Sequence, residues 1–327
     1  GVEDYLSLME EIFDFDQISD FLKNDFSFIF DAMNAVTGPY AKRIFVDSMG
    51  LSKECLMNSE PLPDFGQLHP DPNLTYAKKL ADLLLIDKSY NFGAACDGDG
   101  DRNMILGKGC FVNPSDSLAI LTANTKYIPG YRDGIHGVAR SMPTSMAVDA
   151  VAKQMNISCF ETPTGWKFFG NLLDSNNITL CGEESFGTGS NHVREKDGLW
   201  AVLFWLQILA SKKCSVHDLL KDHWNQFGRN YYSRHDYESI SSDVANQIFM
   251  KLNEALPTLE KYKFAGSKVL KADNFSYTDP IDQSISSNQG LRVILENNSR
   301  IILRLSGTGT KGSTLRLYFE KSSFSNG

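Results

Sequence analysis

Residues 96–103 read Cys96-Asp97-Gly98-Asp99-Gly100-Asp101-Arg102-Asn103, three carboxylates alternating with glycines and closed by an arginine. Like charges this close repel, so the loop is costly unless a cation sits among the acids. Oxygen ligands on a short backbone suit a hard divalent ion, Mg²⁺ before Zn²⁺. Gly98 and Gly100 are expected to take positive φ and curl the acids onto one focus. The arginine makes sense if the metal's remaining partner is an anion such as phosphate. Small and apolar residues flank the loop, Asn91 to Cys96 before it and Met104-Ile105-Leu106 after it. A triple carboxylate between two strand-like runs stands where open sheets place their ligand sites.

Two plainer readings compete. Short Asp/Gly runs are often solvated turns, but the apolar flanks weaken that reading. An EF-hand fails twice: with Asp97 as the first ligand, Arg102 stands at its glycine position and Lys108 at its closing glutamate.

A chain of 327 residues has room for roughly two or three domains. Its hydrophobic content of 42% supports packed cores and argues against disorder. A formal charge of −8 excludes a nucleic-acid partner held by bulk electrostatics, so an anionic substrate must be drawn by local cations. Cys55, Cys96, Cys110, Cys159, Cys181 and Cys214 show no tight spacing and read as reduced thiols of a cytoplasmic protein. The sequons at Asn73, Asn156, Asn177, Asn274 and Asn297 are what an Asn- and Ser-rich chain gives by chance. No membrane span is expected, because the most apolar run, Leu199 to Ala210, is about half the length a bilayer needs. It reads as a buried helix.

Pattern divides the rest. Val2 to Leu22 predicts one or two helices, 26–31 a strand, Val36 to Met49 a helix after the Gly38-Pro39 break, and Leu74 to Ile86 another. Between the last two lies a Pro-rich connection containing His69-Pro70-Asp71-Pro72, with His69 undecided. His136, His217, His223 and His235 read as structural. Strand–helix alternation continues from Pro114 to about Gly228. There Ser115 is expected to cap a helix over Ser117 to Asn124, and Pro143-Thr144-Ser145 to open the next. Beyond Gly228, strand-like runs surround a helix from Asp243 to Leu256. The expected fold class is therefore α/β, with two similar mixed α/β sheet domains (1–113 and 114–228) followed by an α+β domain with an antiparallel sheet (229–327).

Further loops carry polar chemistry. In 306–313, hydroxyls and glycines alone would read as an ordinary Gly-rich hairpin turn, but Lys311 with the flanking Arg304 and Arg316 tilts the reading toward a phosphate cradle. Gly307, Gly309 and Gly312 match the dinucleotide-binding spacing, but a strand follows the loop instead of a helix. Gly182-Glu183-Glu184-Ser185-Phe186-Gly187 misses the nucleophile elbow by one residue, and its carboxylates and hydroxyl suit sugar hydroxyls better. Lys196, next in chain to the apolar helix, can exchange protons if burial lowers its pKa. Thr162 to Lys167 is a further polar turn, weak alone.

Taken together these loops resemble the phosphoglucomutases of the α-D-phosphohexomutase family. Residues 97–102 look like the family's metal loop, 182–185 its sugar-binding loop and 304–309 its phosphate-binding loop, in the family's order. Pro163-Thr164-Gly165-Trp166-Lys167 and Arg194-Glu195-Lys196-Asp197-Gly198 match too. The resemblance implies that Asp97, Asp99 and Asp101 hold Mg²⁺ and that Arg102 lies beside the transferring phosphate. It implies that Thr164, Glu183, Ser185 and Lys196 contact the sugar phosphate, with Lys196 a candidate acid/base. Ser306, Thr308 and Arg316 would grip the other phosphate, with Arg304 nearby. The implied reaction interconverts glucose 1-phosphate and glucose 6-phosphate through an enzyme phosphoserine and glucose 1,6-bisphosphate.

One departure is large: the family's Thr-Ala-Ser-His-Asn-Pro-type loop, which carries the phosphoserine, has no match here. The expectation is a fragment of a complete mutase, inactive alone. A relative that lost the donor and serves as a binding or scaffold protein is the alternative.

Overall fold

The computed structural model describes residues 1–309 and 312–323, with backbone only at 307–309. It builds three sheets in succession. The first follows helices α1 (Val2–Ile12) and α2 (Phe15–Lys23), the latter capped by the Asp14 carboxylate, which accepts from Gln17 N–H. Strand β1 (Phe28–Asp31) leads into α3 (Thr37–Ala41), which runs on as a π-helical stretch over Lys42–Ser48. Gly38 and Pro39 are thus no break. They sit in the first turn, where proline's missing N–H costs nothing, and a Cβ on Gly38 would stand 1.9 Å from the Ser59 carbonyl. After β2 (Leu56–Met57) and the Pro-rich connection comes α4 (Lys78–Ala81), continuing as a π-helix to Ile86. It starts later than expected because the Asn73 side chain accepts from Thr75 and Tyr76 N–H and holds a turn instead.

Strands β3 (Phe92–Cys96), β4 (Asn103–Gly107) and β5 (Cys110–Phe111) complete a sheet of order β2-β1-β3-β4-β5. β1 runs parallel to β2 and β3, while β4 and β5 turn back antiparallel. The second sheet repeats this plan. Its elements are α5 (Pro114–Ala123), β6 (Gly137–Ser141), α6 (Ala147–Met155), β7 (Ser158–Thr162), α7 (Lys167–Asp174), β8 (Leu180–Glu183), β9 (Gly187–Ser190), α8 (Gly198–Lys212) and α9 (Val216–Phe227). Its order is β7-β6-β8-β9, parallel except for β9. Two caps differ from expectation. Asn113, not Ser115, caps α5, with Pro114 as its first residue. α6 begins at Ala147, after Ser145, whose hydroxyl oxygen accepts from Ala147 N–H.

α8 is apolar on all sides and buried from Gly198 to Ala210. One continuous core spreads from it over the first two sheets, joining Phe13, Phe30 and Phe45 to Leu118, Val148 and Phe204. No single helix among the described residues is long and apolar enough to cross a membrane.

The third sheet is antiparallel, of order β10-β17-β16-β15-β12-β11, built from β10 (Arg229–Ile240), β11 (Lys263–Phe264), β12 (Ser267–Asn274), β15 (Leu291–Leu295), β16 (Arg300–Gly309) and β17 (Gly312–Ser323). Helix α10 (Ser242–Leu259) packs on β12, β16 and β17, and β13 (Tyr277–Thr278) pairs with β14 (Ile285–Ser286) as a separate ribbon. The expected α/β, α/β, α+β fold class is the one observed.

In β16 and β17, Arg300, Ile302 and Arg304 lie opposite Glu320, Tyr318 and Arg316. The inner members of this row turn inward: Arg300, Ile302, Tyr318 and Glu320 are buried, whereas Phe319 on the other face is exposed. Arg300 donates to the Met142 and Thr144 carbonyls at 2.9 and 2.8 Å and pairs with Glu320 at 2.6 Å. The other Glu320 oxygen accepts from Ser145 Oγ, Met146 N and Asn230 Nδ2. Removing one member of such a buried pair strands the other. Glu320→Ala should therefore cost about 3–5 kcal/mol in chemical denaturation. A loss of less than about 1 kcal/mol would mean that water reaches this pair as it does a surface one.

Candidate functional site

The acid loop is the turn between β3 and β4, at the carboxyl end of a central parallel strand. One carboxylate oxygen from each of Asp97, Asp99 and Asp101 can be chosen so that all three lie within 4.8 Å of one another. Asp97 is buried, Asp101 half-buried and Asp99 exposed. Burial, and then the charges of Asp101 and Asp99, push the Asp97 carboxyl up to about 7, opposed by the Arg102 N–H that it accepts at 3.0 Å. Among the described residues this is the one cluster of its kind, and its all-oxygen donors fit a hard divalent cation. Gly100 has the expected positive φ of 80°, but Gly98 does not. Gly98 is instead close-packed: a Cβ would meet Pro70 at 3.3 Å, and its N–H donates to the Pro70 carbonyl.

Arg102 is 43% exposed, its guanidinium 3.7 Å from Asp71, 3.7 Å from Asp97 and 3.9 Å from Asp101. These are ion-pair distances, too long for hydrogen bonds. Asp71 is a neighbour that the sequence reading missed, although the Pro-rich segment carrying it was a visible signal. His69, in the same segment, packs edge-on against Tyr76.

The second hairpin, β8 to β9, is built like the first. Glu183 pairs with Gly187, leaving Glu184, Ser185 and Phe186 as a three-residue loop. Phe186 has φ 67°, a left-handed position that such loops usually give to glycine. The conformation turns its carbonyl toward Asn103, whose backbone N–H donates at 2.8 Å and whose side-chain amide donates at 3.2 Å. The Arg102–Gly187 bridge completes the seam between the hairpins, while a Gly189–Lys196 bridge holds Lys196 against the second one. The Glu183 carboxyl is raised by burial and by Glu184, and lowered by the N–H of Gly165 and the charges of Lys196 and Arg304.

Lys196 Nζ salt-bridges Asp101 at 2.8 Å. The Thr164 hydroxyl oxygen, in the loop after β7, is buried with no hydrogen-bond partner among the described residues. Ser185 sits half-buried in its loop. In the third sheet Arg304 lies directly opposite Arg316, and Ser306 opposite Thr314. Facing cations on neighbouring strands repel, and Asp236, 3.8 Å from Arg316 Nε, offsets only part of that repulsion. Of the expected phosphate-binding residues, the Thr308 side chain lies outside the described residues. Tyr318 is a further polar residue that motif reading passed over, and it engages Glu184 of the sugar-loop motif: its hydroxyl donates to Glu184 at 3.1 Å and accepts from Arg304 at 3.2 Å.

Three family models match in succession: phosphoglucomutase/phosphomannomutase alpha/beta/alpha domain II over residues 3–109, alpha/beta/alpha domain III over 114–227, and the phosphoglucomutase-1 C-terminal domain over 229–326. Two alpha/beta/alpha units followed by that C-terminal unit define the class: a multidomain sugar-phosphate mutase architecture. The chain belongs to the α-D-phosphohexomutase family. A phosphoglucomutase of Rhizobium radiobacter is 58% identical over 320 residues, and a chloroplastic one of Arabidopsis thaliana 54% over 332. Each alignment covers 98% of this chain, but only 59% and 53% of those relatives' lengths. Among solved structures, the open form of Paramecium pp63/parafusin, a phosphoglucomutase, superposes with TM-score 0.92 at 54% identity, over 99% of this chain and 58% of that one. A putative phosphomannomutase of Thermus thermophilus shares the fold at 21% identity and TM-score 0.71, covering 98% of this chain and 62% of that one.

Gly198 clamps the acid loop. Its N–H donates to the Gly100 carbonyl at 2.9 Å, and a Cβ would stand 2.6 Å from the Arg102 carbonyl and 2.6 Å from Cys96 Sγ. Gly198→Ala should destabilise the chain by about 1–3 kcal/mol through overpacking. An unchanged denaturation midpoint would show that the loop yields freely.

Proposed function

We propose that this chain carries the metal, sugar and phosphate sites of a phosphoglucomutase that interconverts glucose 1-phosphate and glucose 6-phosphate. The reaction proceeds through an enzyme phosphoserine and glucose 1,6-bisphosphate. The observation that carries this reading is that Lys196, bridged to Gly189 of the second hairpin, lies 2.8 Å from Asp101 of the first, so that the proposed metal loop and sugar loop adjoin. The three units, 1–113, 114–228 and 229–327, then supply one loop each.

In this reading Asp97, Asp99 and Asp101 hold Mg²⁺, which when bound neutralises charge on the phosphoryl group in transit. Arg102, free of short hydrogen bonds from its guanidinium to the neighbouring acids, offers its N–H groups to that phosphoryl group. Thr164 gives its unpartnered hydroxyl, and Glu183 and Ser185 bind sugar hydroxyls. Lys196 Nζ, an ammonium beside Asp101, gives a proton to the oxygen that loses the phosphoryl group and regains one from the sugar hydroxyl that takes it. Arg304, Ser306, Thr308 and Arg316 hold the second phosphate. Hexose phosphates are the partners, and the cytoplasm is the proposed location, in keeping with six unpaired cysteines and with a cytoplasmic relative from Pisum sativum.

Metal binding is testable by melting. At Mg²⁺ a hundred times its dissociation constant the unaltered chain should gain about 2.7 kcal/mol. Asp99→Asn should bind at least tenfold more weakly and gain about 1.4 kcal/mol or less at the same concentration. Its metal-free melting temperature should hold or rise, because a repelling charge is gone. An undiminished Mg²⁺ effect would remove Asp99 from the metal set.

Titration calorimetry with glucose 1,6-bisphosphate and Mg²⁺ should show binding that Arg316→Ala weakens. The 327 residues alone should leave glucose 1-phosphate unconverted, because none stands in a Ser-His-Asn-Pro-type donor loop. Absence of bisphosphate binding would overturn the proposal, and steady conversion would overturn the need for that donor.

A further inference from the structure

The sugar-loop hairpin and the third sheet meet at one buried phenol. Tyr318 is 1% exposed on β17 and points at the β8–β9 hairpin. Glu184 receives it fully partnered: one carboxylate oxygen accepts from Ser141 Oγ at 3.2 Å and Thr144 Oγ1 at 3.4 Å, the other from Tyr318 OH at 3.1 Å. The phenol has one proton, and Glu184 takes it. Its lone pairs are left to accept from Arg304 Nη1 at 3.2 Å. Burial, and then the Glu184 charge, raise the phenol's pKa, so it remains the neutral hydroxyl this arrangement needs. On its other side the Arg304 stem is confined by Gly290, where a Cβ would stand 3.0 Å from Arg304 Cγ.

We propose that Tyr318 is a positioning residue: anchored by Glu184 on the sugar loop, its hydroxyl aims the Arg304 guanidinium at the phosphate of a bound sugar. The inference rests on the phosphosugar-binding reading above and adds a device to it. Arg304 faces Arg316 across the strands, and although Asp236 stands 3.8 Å from Arg316, a free Arg304 would swing away from that cation. The phenol holds it in place beforehand, so less side-chain entropy is lost when phosphate arrives. Because Glu184 adjoins Glu183, the same contact ties the aim of the phosphate-binding arginine to the seat of the sugar loop.

The alternative is that Tyr318 merely satisfies a buried carboxylate. A double-mutant cycle on the 327-residue chain separates the two, read by calorimetry with glucose 1,6-bisphosphate in saturating Mg²⁺. Tyr318→Phe should weaken binding about five- to tenfold, the loss of one charge-assisted hydrogen bond. In an Arg304→Ala background the same change should weaken binding less than about twofold, because the residue acts only through Arg304. Mg²⁺ affinity should stay within about twofold in both backgrounds. Should Tyr318→Phe fail to fold, Glu184→Gln keeps the buried shape and carries the same cycle, with an expected factor of about two- to threefold. Equal weakening with and without Arg304, or Tyr318→Phe binding like the unaltered chain, overturns the inference and leaves the proposed function standing. An unaltered chain that does not bind the bisphosphate overturns both.

Discussion

Three carboxylates that repel one another stay gathered because the hairpin bearing them cannot move independently. Its turn gives the Gly100 carbonyl to Gly198 N–H at the head of α8, and its exit strand gives Asn103 to the Phe186 carbonyl of the second hairpin. α8 is the most buried helix of the structure, so the acid loop is anchored to the common core of two sheets. Asp197 reinforces the anchor. It caps α8 by accepting from Trp200 N–H, and it also accepts from the Tyr5 hydroxyl and meets the His192 ring at 2.9 Å. Relaxing the acid loop would mean disturbing the packing of both units, which is how a fold can maintain a locally unfavourable charge arrangement.

The repetition of one plan explains where the polar loops lie. In each of the first two sheets a central parallel strand ends in a turn and returns as an antiparallel neighbour, β3 to β4 and β8 to β9. Ligand sites gather at the carboxyl ends of parallel strands, and here two such ends meet through the Arg102–Gly187 bridge and the Lys196–Asp101 ion pair. The chain is acidic overall, yet Arg102 and Lys196 lie in these loops' seam and Arg304 lies near enough to Glu183 to act on its charge. Against a formal charge of −8, any attraction for an anion must be local in this way.

Much of this was legible in the sequence. Asp97, Asp99 and Asp101 announce themselves because their spacing alone sets their chemistry, and the apolar run from Leu199 to Ala210 can only be a buried helix. What the sequence hid is long-range. Glu184 and Tyr318 are 134 residues apart, and no local pattern marks either as the other's partner. The strand-like runs beyond Gly228 were readable, but which face of β16 and β17 turns inward was not, since the buried row mixes Arg300 and Glu320 with Ile302 and Tyr318. Pattern rules assume that charge points outward. Arg300 breaks that rule because two backbone carbonyls, Met142 and Thr144, await it on the neighbouring unit. The misplaced cap at Ser115 has a smaller cause: Asn113 and Ser115 are both good caps, and only the position of Pro114, acceptable in the first turn of a helix, decides between them.

That polar face bears on how the third unit is seated. An apolar contact of the same area would tolerate sliding, because dispersion and hydrophobic burial have little direction. The contact here adds directed bonds to an apolar cluster in which Met142 and Phe168 meet Phe275, Tyr277 and Ile302: Arg300 to carbonyls, Glu320 to Ser145 and Met146, Tyr232 OH to the Pro143 carbonyl, and Arg292 to Glu161. Buried ion pairs add little net stability over a well-packed apolar replacement, but each is satisfied in one register only. These bonds fix the third unit in one seat and oppose a shift of a few ångströms along it. If loops on different units grip opposite ends of one small molecule, as proposed, they need that kind of joint, since a 1 Å misplacement can cost about a hundredfold in rate.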